Sequence, residues 1–183
     1  MRVTIRKKDV FKQMIMDLYD IKSINSINGV SIDSRKIQKG DIFIPLKGDR
    51  VDGHKFIQDV LEKGASLVFS EDSTYNNEKI ISVDSTLKTI GHIAKNWRNK
   101  FEGSVISITG SNGKTTTKEL IVHILSQNYQ CAYTAGNHNS TIGMPLSLIS
   151  MDTADELVIL EMGSSAPGEI GYLCGIAQPE IGL

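Results

Sequence analysis

The sequence predicts an α/β protein in two blocks, a small mixed α/β domain over residues 1–84 and a parallel-sheet domain over residues 85–183. Three observations carry this. Short β-branched runs alternate with segments whose apolar residues recur at helical spacing, the signature of βαβ units. A glycine-bearing segment, Gly110-Ser-Asn-Gly113, falls directly between one such run and one such helix. Near Asp84 the pattern changes to buried strand runs that alternate with helices.

In the first block Asp9 can cap a helix in which Val10, Phe11, Met14, Ile15 and Leu18 recur at helical spacing. Asp41-Ile-Phe-Ile-Pro-Leu46, Ser66-Leu-Val-Phe69 and Lys79-Ile-Ile-Ser-Val83 read as strands. Pro45 predicts an edge position or a bulge for the first of them. A helix over 54–63 stops at Gly64, and Asp52 and His54 define its entry turn. In the second block a helix over 86–101 precedes the strand Val105-Ile-Ser-Ile-Thr109, and a helix over 114–127 follows it. A short strand at Cys131-Ala-Tyr-Thr134, a short helix over 144–150, the strand Leu157-Val-Ile-Leu160 and a helix over 168–176 complete the pattern. Pro179-Glu-Ile-Gly-Leu183 reads as the opening of one more strand, so the chain is expected to be truncated within its parallel sheet.

Composition narrows the partners. With 20 basic and 21 acidic residues the net charge is −1, which leaves no excess to neutralise a nucleic-acid backbone. A single phosphate group remains accessible, since backbone N–H groups and one lysine suffice to hold it. The basic N-terminus (Arg2, Arg6, Lys7, Lys8) is followed by charge-interrupted sequence, not by a secretory apolar region. No run reaches the roughly 18 apolar residues of a membrane span, and a cytoplasmic location is expected. Cys131 and Cys174 lie far apart in apolar runs and read as buried free thiols. His92 and His123 fall inside helical patterns and read as structural.

The chemistry concentrates in Thr109-Gly-Ser-Asn-Gly-Lys-Thr-Thr116. Gly110 and Gly113 permit a tight turn whose N–H groups point at phosphate oxygens. Lys114 can reach terminal phosphates, the Thr115 hydroxyl can ligate Mg²⁺, and the helix that begins here adds its positive dipole end. The loop is shorter than the general GxxxxGK[ST], because Ile108 stands where the first glycine would fall. Glu161 follows Leu157-Val-Ile-Leu160 and should emerge at the carboxyl end of a parallel strand, where open α/β sheets bind ligands. Alone it would read as a surface Glu ending a strand; across from Thr115 and the glycine loop it reads as a second Mg²⁺ ligand. Glu169 reads as a first-turn helix acid. Asn137, His138 and Asn139 form a polar loop, and turn chemistry alone accounts for such a loop. Ser34 and Arg35 offer a hydroxyl and a fork of donors suited to a diphosphate or a uracil edge, though alone they read as a surface turn.

The loop TGSNGKTTT resembles that of the Mur ligase family, the amino-acid ligases of cell-wall synthesis. Thr134-Ala-Gly-Asn-His-Asn-Ser-Thr-Ile-Gly-Met-Pro-Leu146 and Leu160-Glu-Met-Gly-Ser-Ser-Ala-Pro-Gly-Glu-Ile170 are similar to segments of the members that add D-alanyl-D-alanine. Asp33-Ser-Arg35, Gly40-Asp-Ile-Phe43 and Lys47-Gly-Asp-Arg-Val-Asp-Gly-His-Lys-Phe56 fit the family's UDP-binding domain. One departure is Ser165-Ala166, where many such members carry Asn-His.

The resemblance implies an enzyme, an ATP-dependent acid–D-amino-acid ligase with ATP and Mg²⁺ as cofactors. Its substrates would be UDP-N-acetylmuramoyl-tripeptide and D-alanyl-D-alanine, joined through an acyl phosphate. Residues Thr109, Gly110, Ser111, Asn112, Gly113, Lys114, Thr115 and Thr116 would hold the nucleotide, with Lys114 and Glu161 catalytic. Ser34, Arg35 and Lys47 would lie near the UDP portion, and Asn137 and Asn139 would face the muramoyl substrate or the nucleotide. A His, often a carbamylated Lys, and an amine-binding domain of the family fall beyond Leu183, so the chain alone is expected to have little or no ligase activity; a monomer is also expected. Three alternatives stand beside this reading: a ligase adding the third amino acid, a non-catalytic UDP-sugar-binding remnant, and a regulatory nucleotide switch.

Overall fold

The computed structural model describes residues 1–48 and 51–183. Asp49 and Arg50, part of the motif that begins at Lys47, lie outside the described residues. The chain divides into two units, Met1–Ile90 and Gly91–Leu183, with the division inside one helix.

The first unit holds β1 (Arg2–Thr4), α1 (Lys8–Tyr19), β2 (Gly29–Ser31), β3 (Asp41–Phe43), a 3-10 turn (Gly53–Phe56) running into α2 (Ile57–Glu62), β4 (Leu67–Ser70) and β5 (Ile80–Ser82). The strands lie in chain order; β1 is antiparallel to β2 and every other pairing is parallel. Ile37, Phe43, Ile57, Val60, Ala65 and Val68 form a core between sheet and α2. The sequence patterns do not reveal β1 and β2, each three residues long with too few apolar positions for a period to register.

A nonlocal ion pair accompanies that edge. Arg2 reaches across β2 to Asp41 with a two-pronged contact, Nε to Oδ2 at 2.6 Å and Nη2 to Oδ1 at 2.8 Å. Asp41 is fully buried, and it also accepts the Gln38 N–H at 2.8 Å, so its charge is well satisfied. Gly29 lies beneath this bridge: a Cβ there would stand 2.5 Å from the Val3 carbonyl oxygen and 2.8 Å from Asp41 Oδ1.

Two local expectations need correction. Pro45 marks neither a sheet edge nor a bulge, because β3 runs between β2 and β4 and ends at Phe43, before the proline. Asp9 does not cap α1; Lys7 occupies the cap position without a side-chain bond, and Asp9 sits in the first turn, where the helix dipole favours it. Val10 is exposed, and the buried stripe is Phe11, Met14 and Ile15. Asp52 does cap the 3-10 turn, accepting the His54 N–H at 2.9 Å and contacting His54 Nδ1 at 2.7 Å.

In the second part of the chain, α3 (Thr86–Arg98) leads to β6 (Ser104–Ile108), α4 (Lys114–Leu125), β7 (Cys131–Tyr133), α5 (Gly143–Ile149), β8 (Leu157–Glu161), α6 (Glu169–Ala177) and β9 (Ile181–Gly182). The sheet is wholly parallel, in the order β7-β8-β6-β9. Ile106, Ile108, Val122 and Ile159 pack α4 against it. The path from β6 to β7 runs one way across the sheet, and the path from β8 to β9 runs the other. The carboxyl ends of β6 and β8 therefore flank a topological switch point, where open sheets form a crevice.

Cys131 and Cys174 are free, as expected, but half-buried. His92 and His123 lie within α3 and α4, as expected, on their exposed sides. Among the described residues, no helix is long and apolar enough to cross a membrane.

Candidate functional site

β6 delivers the chain to the switch point, and residues 109–113 turn it into α4. Gly110 (φ +145°) and Gly113 (φ +78°) adopt backbone conformations that side chains disfavour. A Cβ on Gly113 would meet nothing within 4 Å, so the turn requires glycine there for conformation and not for space. Among the described residues, no backbone carbonyl accepts a hydrogen bond from the N–H groups of residues 110–116; the Thr117 N–H makes the first such bond, to Gly113 at 2.8 Å. The start of a twelve-residue helix thus presents a run of donors and its positive dipole end together. The Lys114 ammonium folds over the loop onto the Gly110 carbonyl at 2.6 Å. Ser111, Asn112 and Thr116 are exposed around it. The Thr109 N–H instead donates to Leu183 at 2.9 Å, which removes that amide from the set available to a phosphate.

β8 brings Glu161 beside the loop, paired in register with Ile108 of β6. Its carboxylate is buried and fixed from both sides. Oε2 accepts the Thr115 hydroxyl at 2.8 Å, and Oε1 accepts Asn139 Nδ2 at 2.6 Å. Asn139 is therefore joined to Glu161, and its backbone carbonyl also accepts the Gly163 N–H at 2.8 Å. Asn137 is not brought to this cluster; it is exposed, and its carbonyl accepts the Asn139 N–H. His138 is half-buried beside Gly143, where a Cβ would stand 2.9 Å from the histidine Cα.

Sequence reasoning missed two members of this cluster. Lys118, one turn into α4, is fully buried; it donates to the Thr134 carbonyl at 2.7 Å and stands 4.0 Å from Glu161 Oε2. Thr134, just past β7, accepts the Glu161 N–H on its hydroxyl at 3.1 Å. The available signal was spacing, since Thr115, Lys118 and Val122 share one helix face and Val122 is apolar core.

Beyond β8, nothing in the structure explains the departure at Ser165-Ala166, which lies at the entry to α6. Glu169 accepts the N–H groups of Ser165 (2.6 Å) and Ala166 (3.0 Å). Those backbone bonds hold the Glu169 carboxyl below its usual range.

In the first unit a cavity of about 470 Å³ opens past the ends of β2 and β3, lined in part by Asp33, Ser34, Arg35, Leu46 and Phe56. Lys47 is not among its described lining residues and instead makes an isolated bridge with Asp52. The exposed Arg35 fork lies on Asp33, Nε to Oδ1 and Nη2 to Oδ2 both at 2.9 Å. That bond, more than any other influence, lowers the Asp33 carboxyl to about 2. Because the folded value is depressed, the pair's stabilisation is complete above the free aspartate value near 4 and disappears as pH falls through about 2. A carbon-detected NMR titration should give a midpoint near 2 for Asp33. In Arg35→Ala it should rise to about 4; an unchanged midpoint would disprove the pairing in solution.

Fold and site together define an α/β protein with a glycine turn between β6 and α4 and a cavity in its N-terminal unit. The chain belongs to the Mur ligase family: residues 26–98 match the Mur ligase family catalytic domain, and residues 108–183 the Mur ligase middle domain. It is 43% identical over 157 residues to the UDP-N-acetylmuramoyl-tripeptide--D-alanyl-D-alanine ligase of Bacillus subtilis, covering 84% of this chain and 34% of that protein. The crystal structure of MurF ligase from Thermotoga maritima in complex with ADP matches with a TM-score of 0.78 at 39% identity, over 82% of this chain and 35% of that one. MurF from Acinetobacter baumannii gives a TM-score of 0.85 at 29% identity, over 100% of this chain and 40% of that one. The chain spans about a third of the length of the curated relatives it matches.

Proposed function

We propose that this chain supplies the ATP-handling and UDP-substrate-handling parts of a ligase that adds D-alanyl-D-alanine to UDP-N-acetylmuramoyl-tripeptide. The observation that carries the reading is the 2.8 Å contact between Thr115 and Glu161 at the mouth of the glycine loop. It brings two hard oxygen donors together where a nucleotide's terminal phosphates would end. Among the described residues, no group of three or more His, Cys, Asp or Glu could hold a metal, so an all-protein cage is absent. That donor set fits Mg²⁺, which takes one or two protein oxygens and completes its shell from phosphates and water. When bound it would offset negative charge on the phosphates.

The chain's own groups then divide the work. The N–H groups of residues 110–116 grip the phosphate chain, and Lys114 exchanges the Gly110 carbonyl for phosphate oxygens. Thr115 and Glu161 orient the terminal phosphoryl toward the substrate carboxylate, where positioning does most of the catalysis. The carboxylate attacks the γ-phosphorus to give an acyl phosphate and ADP. The amine of D-alanyl-D-alanine then attacks the acyl carbon, and phosphate leaves as the amide forms. The cavity bearing Ser34 and Arg35 would receive the UDP portion. The similarity to the Bacillus subtilis ligase favours D-alanyl-D-alanine as the incoming amine over a single third amino acid.

Calorimetry on the 183-residue chain tests the reading. Mg-ATP and UDP-N-acetylmuramoyl-tripeptide should bind independently. Glu161→Gln should weaken Mg-ATP by at least about tenfold, the scale of one charged contact, and leave the UDP ligand unaffected. Equal Mg-ATP affinity in Glu161→Gln would remove the metal assignment. In a protein of the relatives' full length, phosphate release should depend on D-alanyl-D-alanine.

A further inference from the structure

Lys118 has no part in the chemistry outlined above, and its position demands a reason. Its side chain is fully buried. A buried ammonium is costly unless paired, and a methionine would fill the same place on the apolar face of α4 without that cost. The ammonium donates to the Thr134 carbonyl at 2.7 Å, and Glu119 Oε1 lies 3.1 Å away. It also stands 4.0 Å from Glu161 Oε2 and 5.9 Å from the centre of the Tyr133 ring. Glu119 is more than half exposed, so water screens its share of the pairing. The other carboxylate, Glu161, is almost wholly shielded and feels the ammonium most strongly.

We propose that Lys118 is a built-in counter-cation of the Thr115–Glu161 pair, so placed that Glu161 captures a divalent cation poorly until a nucleotide arrives. The inference rests on the assignment of Thr115 and Glu161 as metal ligands. Before nucleotide binds, the buried charges of Glu161 and Lys118 cancel, and an incoming divalent cation meets a carboxylate already compensated 4.0 Å away. The phosphates of a nucleotide add negative charge at the same mouth and tip the balance toward the metal. Metal and nucleotide are therefore taken up together. Without its lysine, Glu161 would attract a divalent cation more strongly before any nucleotide binds.

Manganese binding, counted by electron paramagnetic resonance on the 183-residue chain with and without ATP, decides the matter. Wild type should bind Mn²⁺ weakly alone and tightly with ATP. Lys118→Gln keeps a donor for the Thr134 carbonyl and removes the charge; its ATP-free Mn²⁺ affinity should rise by at least about tenfold. Lys118→Arg keeps the charge and should behave as wild type. Should Lys118→Gln fail to fold, Lys118→Met, checked by circular dichroism, carries the same expectation. A gain in the Lys118 variants that survives a second change, Glu161→Gln, would place the metal elsewhere and overturn the inference. So would unchanged ATP-free affinity in the neutral variants. If Glu161→Gln leaves ATP-dependent Mn²⁺ binding intact in an otherwise wild-type chain, the metal assignment fails and this inference fails with it.

Discussion

Replacing Lys114 with alanine should weaken ATP binding by at least about 100-fold, the sum of one or two charge-assisted contacts to phosphate. The fold should not change. Lys114 donates to the Gly110 carbonyl within its own exposed loop, and no core residue depends on it. The N–H groups of residues 110–116 would still face a ligand, but without a mobile positive charge to meet the terminal phosphates. Calorimetry with ATP and, separately, with UDP-N-acetylmuramoyl-tripeptide gives the contrast, because the second ligand is proposed to enter the cavity bearing Ser34 and Arg35. Loss of the first and retention of the second is the expected pair of results. ATP affinity within a few-fold of wild type would contradict the role given to this lysine.

The second large effect is on stability. Trp97 is fully buried on α3, edge-on to Phe101 at 6.2 Å between ring centres, and its indole N–H donates to the Met151 carbonyl at 3.2 Å. Trp97→Ala opens a cavity of ring size and leaves that carbonyl without its donor. The cost should be about 3–5 kcal/mol, a large share of the 5–15 kcal/mol typical of a domain. It is the chain's one tryptophan, so its own fluorescence cannot report the variant. Urea unfolding followed by far-ultraviolet circular dichroism should show a midpoint lowered by about 2 M, taking a slope near 2 kcal/mol per molar. A loss below about 1 kcal/mol would mean that Trp97 does not anchor α3 as its burial indicates.

The part of the fold nearest the chemistry is also the part most legible in the sequence, for a physical reason. β6 and β8 are largely buried on both faces and therefore read as runs rich in Val, Ile and Leu, and the glycines between β6 and α4 mark the turn. The same logic put Glu161 at a strand's carboxyl end, where it meets Thr115. What escaped was nonlocal. β1 and β2 are too short for periodicity, and Arg2 finds Asp41 only once three strands are assembled. Lys118 looks like any helix lysine until α4 packs on the sheet and closes it over Thr134 and Glu161. Pro45 misled because strand β3 ends earlier than its apolar run. Asn137 and Asn139, two residues apart, could not be separated by sequence, yet one reaches Glu161 and the other faces solvent.

The proposed nucleotide role requires that phosphates sit at the turn after β6. Backbone amide chemical shifts of the labelled 183-residue chain, recorded as Mg-ADP is added, examine that residue by residue. The largest shifts should fall on residues 110–116, with a smaller response at Asn139 and Glu161. Shifts confined to the first unit, or amides of 110–116 that stay in place at saturation, would contradict it.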